Sequence, residues 1–307
     1  MKVVVTGASG FVGGHVVAAL VAAGHDVVGL SRTMPKGARR DPKAVYFDGV
    51  DVGSESTLKP AYFDGADAVV HLVGIIQERG GEQTFERIHV TGTGNVVDAA
   101  SNSGSVKKFV YLSAIGSDLA APSVYSQTKA KAESLVRAGS VPFTILRPSI
   151  ILGADGEFVA QMKDLVLHGG LPIPLPFPFI PVPGSGNNKF QPIFVEDLCS
   201  CIVKAVEPNV ATGEIIEVGG ATQVTFNELL DAFAKNLGVK KPKLHAPIPI
   251  LMAVAPLLGI LPNPPVTVDQ LKNLGRDNTC DNSAMKATFA LDPMPFAAQM
   301  DIVLPPK

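Results

Sequence analysis

Tryptophan is absent from this 307-residue chain and cysteine is scarce, with only Cys199, Cys201 and Cys280. Three thiols have the wrong parity for a disulfide framework, and none sits at the spacing of a zinc site. They suit a reducing cytoplasm, or an organelle stroma or matrix if a transit peptide has been removed. Excess charge of either sign is missing too: 26 Lys+Arg against 28 Asp+Glu leave a formal net charge of -2, which removes any general attraction to nucleic acid. The longest apolar stretch, residues 248–261, falls short of the roughly 20 residues that a bilayer span needs, and Pro249 and Pro256 interrupt it. The opening Met1-Lys2-Val3-Val4-Val5-Thr6 runs straight into folded-domain sequence, so no export leader is expected. His15, His25, His71, His89, His168 and His245 are scattered without i,i+4 pairs, which argues against a metal centre. Ser113 and Ser126 lack the Gly-x-Ser-x-Gly elbow of a hydrolase.

What the sequence does have is apolar periodicity. Hydrophobic residues make up 46% of the chain and charged residues 18%, enough for one large or two modest domains at roughly 100–200 residues each. Valine-rich runs near 2–6, 26–31, 44–47, 68–72, 108–112 and 143–147 read as strands. Amphipathic segments at 10–23, 82–103 and 126–139 read as helices, with a turn near 54–63. The alternation predicts an α/β fold with right-handed crossovers and a doubly wound parallel sheet. After about residue 150 the pattern decays, and the prolines between Gly170 and Gly184 suit an extended crossing into a smaller C-terminal part. Residues 190–195 and 214–218 read as strands that rejoin the main sheet, and 227–237 as a helix; 242–265 is the hardest stretch to place.

Thr6-Gly7-Ala8-Ser9-Gly10-Phe11-Val12-Gly13 follows the first strand and opens the first helix. In such a loop Gly7 allows a tight turn, Gly10 lets backbone approach a pyrophosphate, and Gly13 lets helix and strand pack closely, while the helix N-terminus offers N–H groups to phosphate. At the end of the second strand, where a carboxylate would bind the ribose of NAD, stand Ser31 and Arg32, with Lys36, Arg39 and Arg40 behind. An arginine fork suits a 2′-phosphate, so NADP(H) is preferred, with NAD(H) the alternative. Further along, Tyr125 and Lys129 fall on one face of a predicted helix. A free phenol is a poor base at neutral pH, and a neighbouring cation lowers its pKa; Tyr125 could then exchange a proton with a substrate while a nicotinamide exchanges hydride.

Together with Asp51-Val52, His71-Leu72-Val73-Gly74, Val90-Thr91-Gly92-Thr93-Gly94-Asn95-Val96 and Leu146-Arg147-Pro148, these residues resemble the extended short-chain dehydrogenase/reductase superfamily, the NAD-dependent epimerase/dehydratase-like group. Residues 72–78, 84–90 and 191–197 resemble its atypical branch, which contains the nucleotide-binding accessory subunit of respiratory complex I and free-standing relatives. The resemblance implies a Rossmann-type sheet over residues 1–150, with 151–307 forming a smaller substrate or partner part that partly rejoins it. It also implies that Ser9, Phe11 and Val12 join the glycines at the cofactor and that Asp51 and Val52 flank the adenine. Leu72, Val73 and Gly74 would run past the ribose and pyrophosphate, Lys129 would hold the nicotinamide ribose, and Pro148, Ile150 and Ile151 would border the nicotinamide. Ser113, with Ser117 second, would hold the substrate oxygen. His89 departs from the Asn usual at its position. In the accessory subunit the nucleotide serves structure, so a cofactor site alone does not establish turnover.

Three functions follow. The first is an NADP(H)-binding oxidoreductase acting on an apolar, quinone-like or isoprenoid carbonyl or hydroxyl, with Tyr125 as general acid/base, Lys129 as its electrostatic aid and Ser113 as substrate-oxygen donor. The second is a non-catalytic nucleotide-bound assembly or stability factor of an electron-transfer or quinone-biosynthetic complex. The third is a nucleotide-sugar epimerase or dehydratase. The apolar stretch 248–261 reads either as an ordinary packed C-terminal helix or, with 171–183, as a mouth over the nicotinamide or a surface for a protein or membrane-surface partner.

Overall fold

Val3, Val4 and Val5 make β1 (Lys2–Thr6) a strand, because successive β-branched side chains are stiff at χ1 and suit a backbone covered on both faces. The computed structural model describes residues 1–170, 177–258, with 256–258 as backbone only, and 267–306. After β1 come α1 (Phe11–Ala22), β2 (Asp26–Leu30), β3 (Val45–Phe47), β4 (Ala68–His71), α2 (Gly92–Asn102), β5 (Lys108–Leu112), α3 (Val124–Ala138) and β6 (Phe143–Pro148). There follow β7 (Ile151–Leu152), α4 (Glu157–His168), β8 (Ile180–Pro183), β9 (Lys189–Phe190), β10 (Ile193–Phe194), α5 (Val195–Ala205) and β11 (Glu214–Val218). The last elements are β12 (Val224–Thr225), α6 (Phe226–Leu237), β13 (Lys243–Ala246), α7 (Ile248–Leu258), α8 (Val268–Leu274), α9 (Ser283–Phe289) and α10 (Phe296–Val303). The chain divides into two compact units, one of Met1–Pro148, Val195–Val218 and Asp281–Leu291, the other of Ser149–Phe194, Gly219–Cys280 and Asp292–Lys307.

The first unit is built on a parallel seven-stranded sheet in the order β3-β2-β1-β4-β5-β6-β11. Strand order runs outward from β1 to β3 on one side and from β4 to β11 on the other. The switch between β1 and β4 is where an open α/β sheet leaves a crevice at the carboxyl ends of its strands. One face presents Val4, Val69, Phe109, Tyr111 and Ile145 to Val96 and Val97 of α2 and Ala132 and Val136 of α3. Each such aliphatic side chain gains about 1.5–3 kcal/mol from burial. Helix α1 departs from the expected amphipathic pattern and is apolar nearly all round, because α5 packs on it as well as the sheet. Cys199 and Cys201 are buried on α5, and burial pushes the Cys201 thiol up to about 12.

Strand β11 joins the sheet beside β6, but residues 190–195 do not. Pro192 has no N–H and divides that stretch into β9, antiparallel to β12, and β10, parallel to β7, both within the second unit. In that unit α4, α6 and α10 enclose Leu152, Val159, Phe190, Leu229, Phe233 and Met300. Helix α6 begins on a Thr225–Glu228 capping box and stops at Gly238, whose φ is 69°. The expected extended crossing at 171–176 lies outside the described residues, and 180–183 forms β8, paired with β13. Of the stretch 242–265, 243–246 is β13 and 248–258 is α7; 259–266 lie outside the described residues. Ile250 and Val254 of α7 are exposed. No helix among the described residues is long and apolar enough to cross a membrane.

Candidate functional site

At the carboxyl end of β1 the chain turns at Gly7, whose φ of 77° disfavours an L side chain. Its N–H donates to the carbonyl of Leu30 at 2.9 Å, and the N–H of Gly10 returns to the carbonyl of Gly7 at 3.0 Å. A Cβ at Gly13 would lie 2.1 Å from that same carbonyl oxygen, so helix and loop pack at a distance that only glycine permits. Gly10 is the N-cap of α1, exposed and without a side-chain cap, which leaves the first-turn N–H groups open to an anion. Ser9 donates its N–H to Ser31 Oγ at 2.9 Å, tying the loop to the end of β2. Phe11 and Val12 are half-buried in the first turn of α1. A side-chain-free cradle, an open helix terminus and a basic residue after β2 together fit a dinucleotide.

Arg32 is exposed. Arg39 instead lays its stem on α1, where a Cβ at Gly14 would lie 2.8 Å from Arg39 Cβ, and Arg40 reaches the Met34 carbonyl at 3.4 Å. Asp51 is bound by Arg87: Nη2 donates to Oδ2 at 2.8 Å and Nη1 to Oδ1 at 3.3 Å. Burial disfavours the charged form of Asp51, but the Arg87 pairing, the Gly53 N–H and Arg32 outweigh it and hold the carboxyl below its usual range. Val52 is buried, and its backbone carbonyl accepts from Asn95 Nδ2 at 2.8 Å.

Beyond β4, Leu72 and Val73 lie against the glycine loop, with Val73 Cγ2 3.2 Å from where a Cβ of Gly7 would stand. Gly74 faces Lys129 Nζ, which lies 3.3 Å from an added Cβ. That ammonium donates to the Leu112 carbonyl at 2.9 Å and to Tyr111 Oη at 3.4 Å. Burial lowers Lys129 to about 8, against the attraction of Glu133. Tyr125, one turn earlier, sits edge-on to Phe85 and His89 with ring centres 5.7 and 5.5 Å away. Burial pushes its phenol up to about 12, the reverse of the lowering expected from a neighbouring cation, while the Lys129 ammonium is set against the Tyr111 ring, 5.0 Å from its centre. Thr128 Oγ1 lies 2.9 Å from the carbonyls of Val124 and Tyr125 and is hydrogen-bonded to His89 Nδ1 at 3.0 Å. His89 Nε2 lies 3.1 Å from both the N–H and the carbonyl of Ile75, and the ring is neutral, with burial and Lys129 pulling it down to about 2. Beneath lies a second polar chain: His71 links Thr6 at 2.6 Å to Thr93 at 3.1 Å, and Thr93 bonds Tyr111.

Ser113 is buried and donates a hydrogen bond to Glu133 Oε1 at 2.5 Å, while Arg147 grips both oxygens of Glu133 at 2.8 and 2.6 Å. Ser117 Oγ lies 3.0 Å from Ser113 Oγ. The substrate-oxygen role expected of Ser113 therefore requires its hydroxyl to rotate away from Glu133. Pro148 ends β6 in the first unit, whereas Ile150 and Ile151 lie in the second, where Ile151 opens β7. Arg87, Tyr111 and Glu133 escaped notice in the sequence. Only Glu133 carries a signal there, at i+4 from Lys129. Among the described residues no cluster of His, Cys, Asp and Glu could hold a metal ion. A groove of about 440 Å³ among Lys2, Asp26, Val45, Phe47 and Tyr62 shares no residue with this site.

The model of the NAD dependent epimerase/dehydratase family matches residues 3–219. NADH dehydrogenase (ubiquinone) 1 alpha subcomplex subunit 9, mitochondrial, of Arabidopsis thaliana is 26% identical over 303 residues, covering 92% of this chain and 71% of that one. A 3-beta-hydroxysteroid dehydrogenase of Mycolicibacterium neoaurum is 29% identical over 241 residues, 69% of this chain and 62% of its own. In fold, the UDP-glucuronic acid 4-epimerase of Bacillus cereus, solved with UDP-glucuronic acid and NAD, aligns with a TM-score of 0.74 at 19% identity over 99% of this chain and 98% of that one. The match over residues 3–219 covers well over half of the chain, which belongs to the NAD dependent epimerase/dehydratase family.

Proposed function

We propose that the first 150 residues bind NADP(H) and that the protein is an oxidoreductase acting on an apolar carbonyl or hydroxyl, with residues 151–307 on the substrate or partner side. The observation that supports this reading is the approach, at the carboxyl ends of β1, β4 and β5, of the Lys129 ammonium to Gly74, on the segment after β4 that lies against the open glycine cradle. Gly7, Ser9, Gly10, Phe11, Val12 and Gly13 would hold the pyrophosphate, Ser31 and Arg32 the 2′-phosphate, Asp51 and Val52 the adenosine end. Leu72, Val73, Gly74 and Pro148 would line the rest. The dinucleotide, when bound, supplies or accepts a hydride. Tyr125 holds its proton at Oη with a pKa near 12, so in the resting protein it is an acid, which suits reduction of a carbonyl. Lys129 steadies the phenolate that this leaves. Ser113 completes the site after turning its hydroxyl off Glu133.

The second reading, a nucleotide-bound assembly factor, is favoured by the engagement of Ser113 with Glu133 and by the likeness to a complex I subunit over 92% of the chain. Exposed Ile250 and Val254 of α7 would then meet the protein or membrane-surface partner. The nucleotide-sugar reading rests on fold alone. Titration with NADP+ and NAD+ is the first test: Arg32→Ala is expected to weaken NADP+ about ten-fold or more, and NAD+ little. Equal losses remove Arg32 from the 2′-phosphate. NADPH consumption with steroid, quinone and sugar-nucleotide carbonyls, lost in Tyr125→Phe, supports the enzyme; intact binding without turnover on any of them supports the assembly factor.

A further inference from the structure

Arg87 has no part in the reading above, yet its guanidinium is fixed from two sides. The paired bonds to Asp51, 2.8 and 3.3 Å long, set the plane of the group. Its flat side lies on Gly53, where an added Cβ would stand 2.5 Å from Nη1 and 2.6 Å from Cζ, so glycine is what leaves room for it. At the rim the carbonyl and carboxylate of Glu82 come within 3.5 and 3.6 Å. The side chain nonetheless keeps 22% of its surface exposed. A planar cation thus lies over the turn that follows β3, with its edge committed and part of its surface open.

Two consequences follow for a ligand at this end of the sheet. Asp51 Oδ1 already takes the Gly53 N–H at 2.9 Å as well as Arg87, and Oδ2 takes Arg87, so the carboxylate is engaged before any base arrives. Asp51 also neutralises much of the Arg87 charge, which makes the guanidinium a poor second reader of phosphate but leaves stacking on the face opposite Gly53 as a use for it. We propose that Arg87, tethered by Asp51 and seated on Gly53, is the platform on which the adenine ring of the dinucleotide stacks, so that the base is held by the guanidinium face rather than by the Asp51 carboxylate. This rests on the reading that the first unit binds a dinucleotide. The ligand group is the adenine that NADP(H) and NAD(H) share, so Arg87 contributes affinity for both where Arg32 discriminates between them.

The test is calorimetric titration of the full chain with NADP+, NAD+ and nicotinamide hypoxanthine dinucleotide, whose base keeps the ring but lacks the 6-amino group. Arg87→Ala is expected to weaken NADP+ and NAD+ by the same factor, about ten-fold. Gly53→Ala keeps the arginine but pushes its guanidinium off the turn, and the same loss is expected. Wild-type protein should bind the hypoxanthine analogue within about two-fold of NAD+, because stacking does not need the amino group. Should Arg87→Ala fail to fold, Arg87→Met keeps the stem packed and carries the same expectation. Unchanged affinity in these variants overturns the proposal, as does a loss confined to NADP+ or a large loss with the analogue in wild type. Failure of wild type to bind any dinucleotide removes the parent reading as well, an outcome distinct from the others.

Discussion

At the scale of single residues, the chemistry of the first unit is governed by burial. His71 and His89 are enclosed without carboxylate partners, and desolvation, helped by Lys129, draws them to about 3 and about 2. Both rings are neutral in the fold and gain protons near pH 6.5 once unfolded. Between those limits the unfolded chain binds more protons, so stability rises with pH and falls on acidification. From pH 7 to pH 5 each histidine costs up to about 2 kcal/mol. Urea unfolding at the two pH values measures this, and His89→Asn should reduce the acid loss by up to about 2 kcal/mol; equal slopes in wild type and variant would remove His89 as a source. Sequence reading identified Tyr125 and Lys129 by spacing but reversed the direction of the phenol's shift. Proximity of a cation is visible in a sequence, whereas exclusion of water is not.

At the scale of elements, α3 carries Tyr125, Lys129 and Glu133 at successive turns, and each reaches a different neighbour. Glu133 is gripped by Arg147 from β6 and accepts a hydrogen bond from Ser113 in the loop after β5, so three elements converge on one carboxylate. Glu133→Gln leaves Arg147 without its partner and is expected to cost about 1–3 kcal/mol, less than a fully buried pair because Arg147 is part-exposed. It also removes the attraction that opposes burial at Lys129, so the Lys129 pKa should fall further. Thermal or urea unfolding reads the first effect, and the alkaline limb of NADPH binding, moved to lower pH, reads the second. A stability loss with an unmoved limb would show that Glu133 acts on packing alone. Much of the first half was legible: the six expected strands form, as do helices over 11–22 and 124–138, but of the expected helix at 82–103 only 92–102 is α-helical, preceded by a π-helical stretch at Glu86–Thr91. The expected strand at 190–195 failed because Pro192 divides it, and α1 lost its polar face because α5, distant in sequence, covers it.

At the scale of the whole chain, the seven-stranded sheet is assembled from residues 2 to 148 and closed on one edge by β11, some 65 residues later. Its centre is the layer of Phe109, Tyr111, Val69 and Ile145 beneath α2 and α3. Phe109→Ala removes a fully enclosed ring and is expected to cost about 3–5 kcal/mol in urea unfolding. A cost below 1 kcal/mol would mean that the layer collapses onto the gap.

The sequence by itself determined the alternation of strand and helix, the glycine cradle after β1 and the basic position after β2. Each of these is a local matter of chain stiffness, side-chain absence or charge, and local physics is written in consecutive residues. Tertiary structure alone decided that Arg87 lies on Gly53 and pairs Asp51, that Ser113 hydrogen-bonds Glu133, and that Lys129 turns to Tyr111 and Leu112. Those partners are 17 to 36 residues apart. No periodicity brings such groups together; only the closing of a parallel sheet, which stacks the carboxyl ends of distant strands and shuts out water, does so.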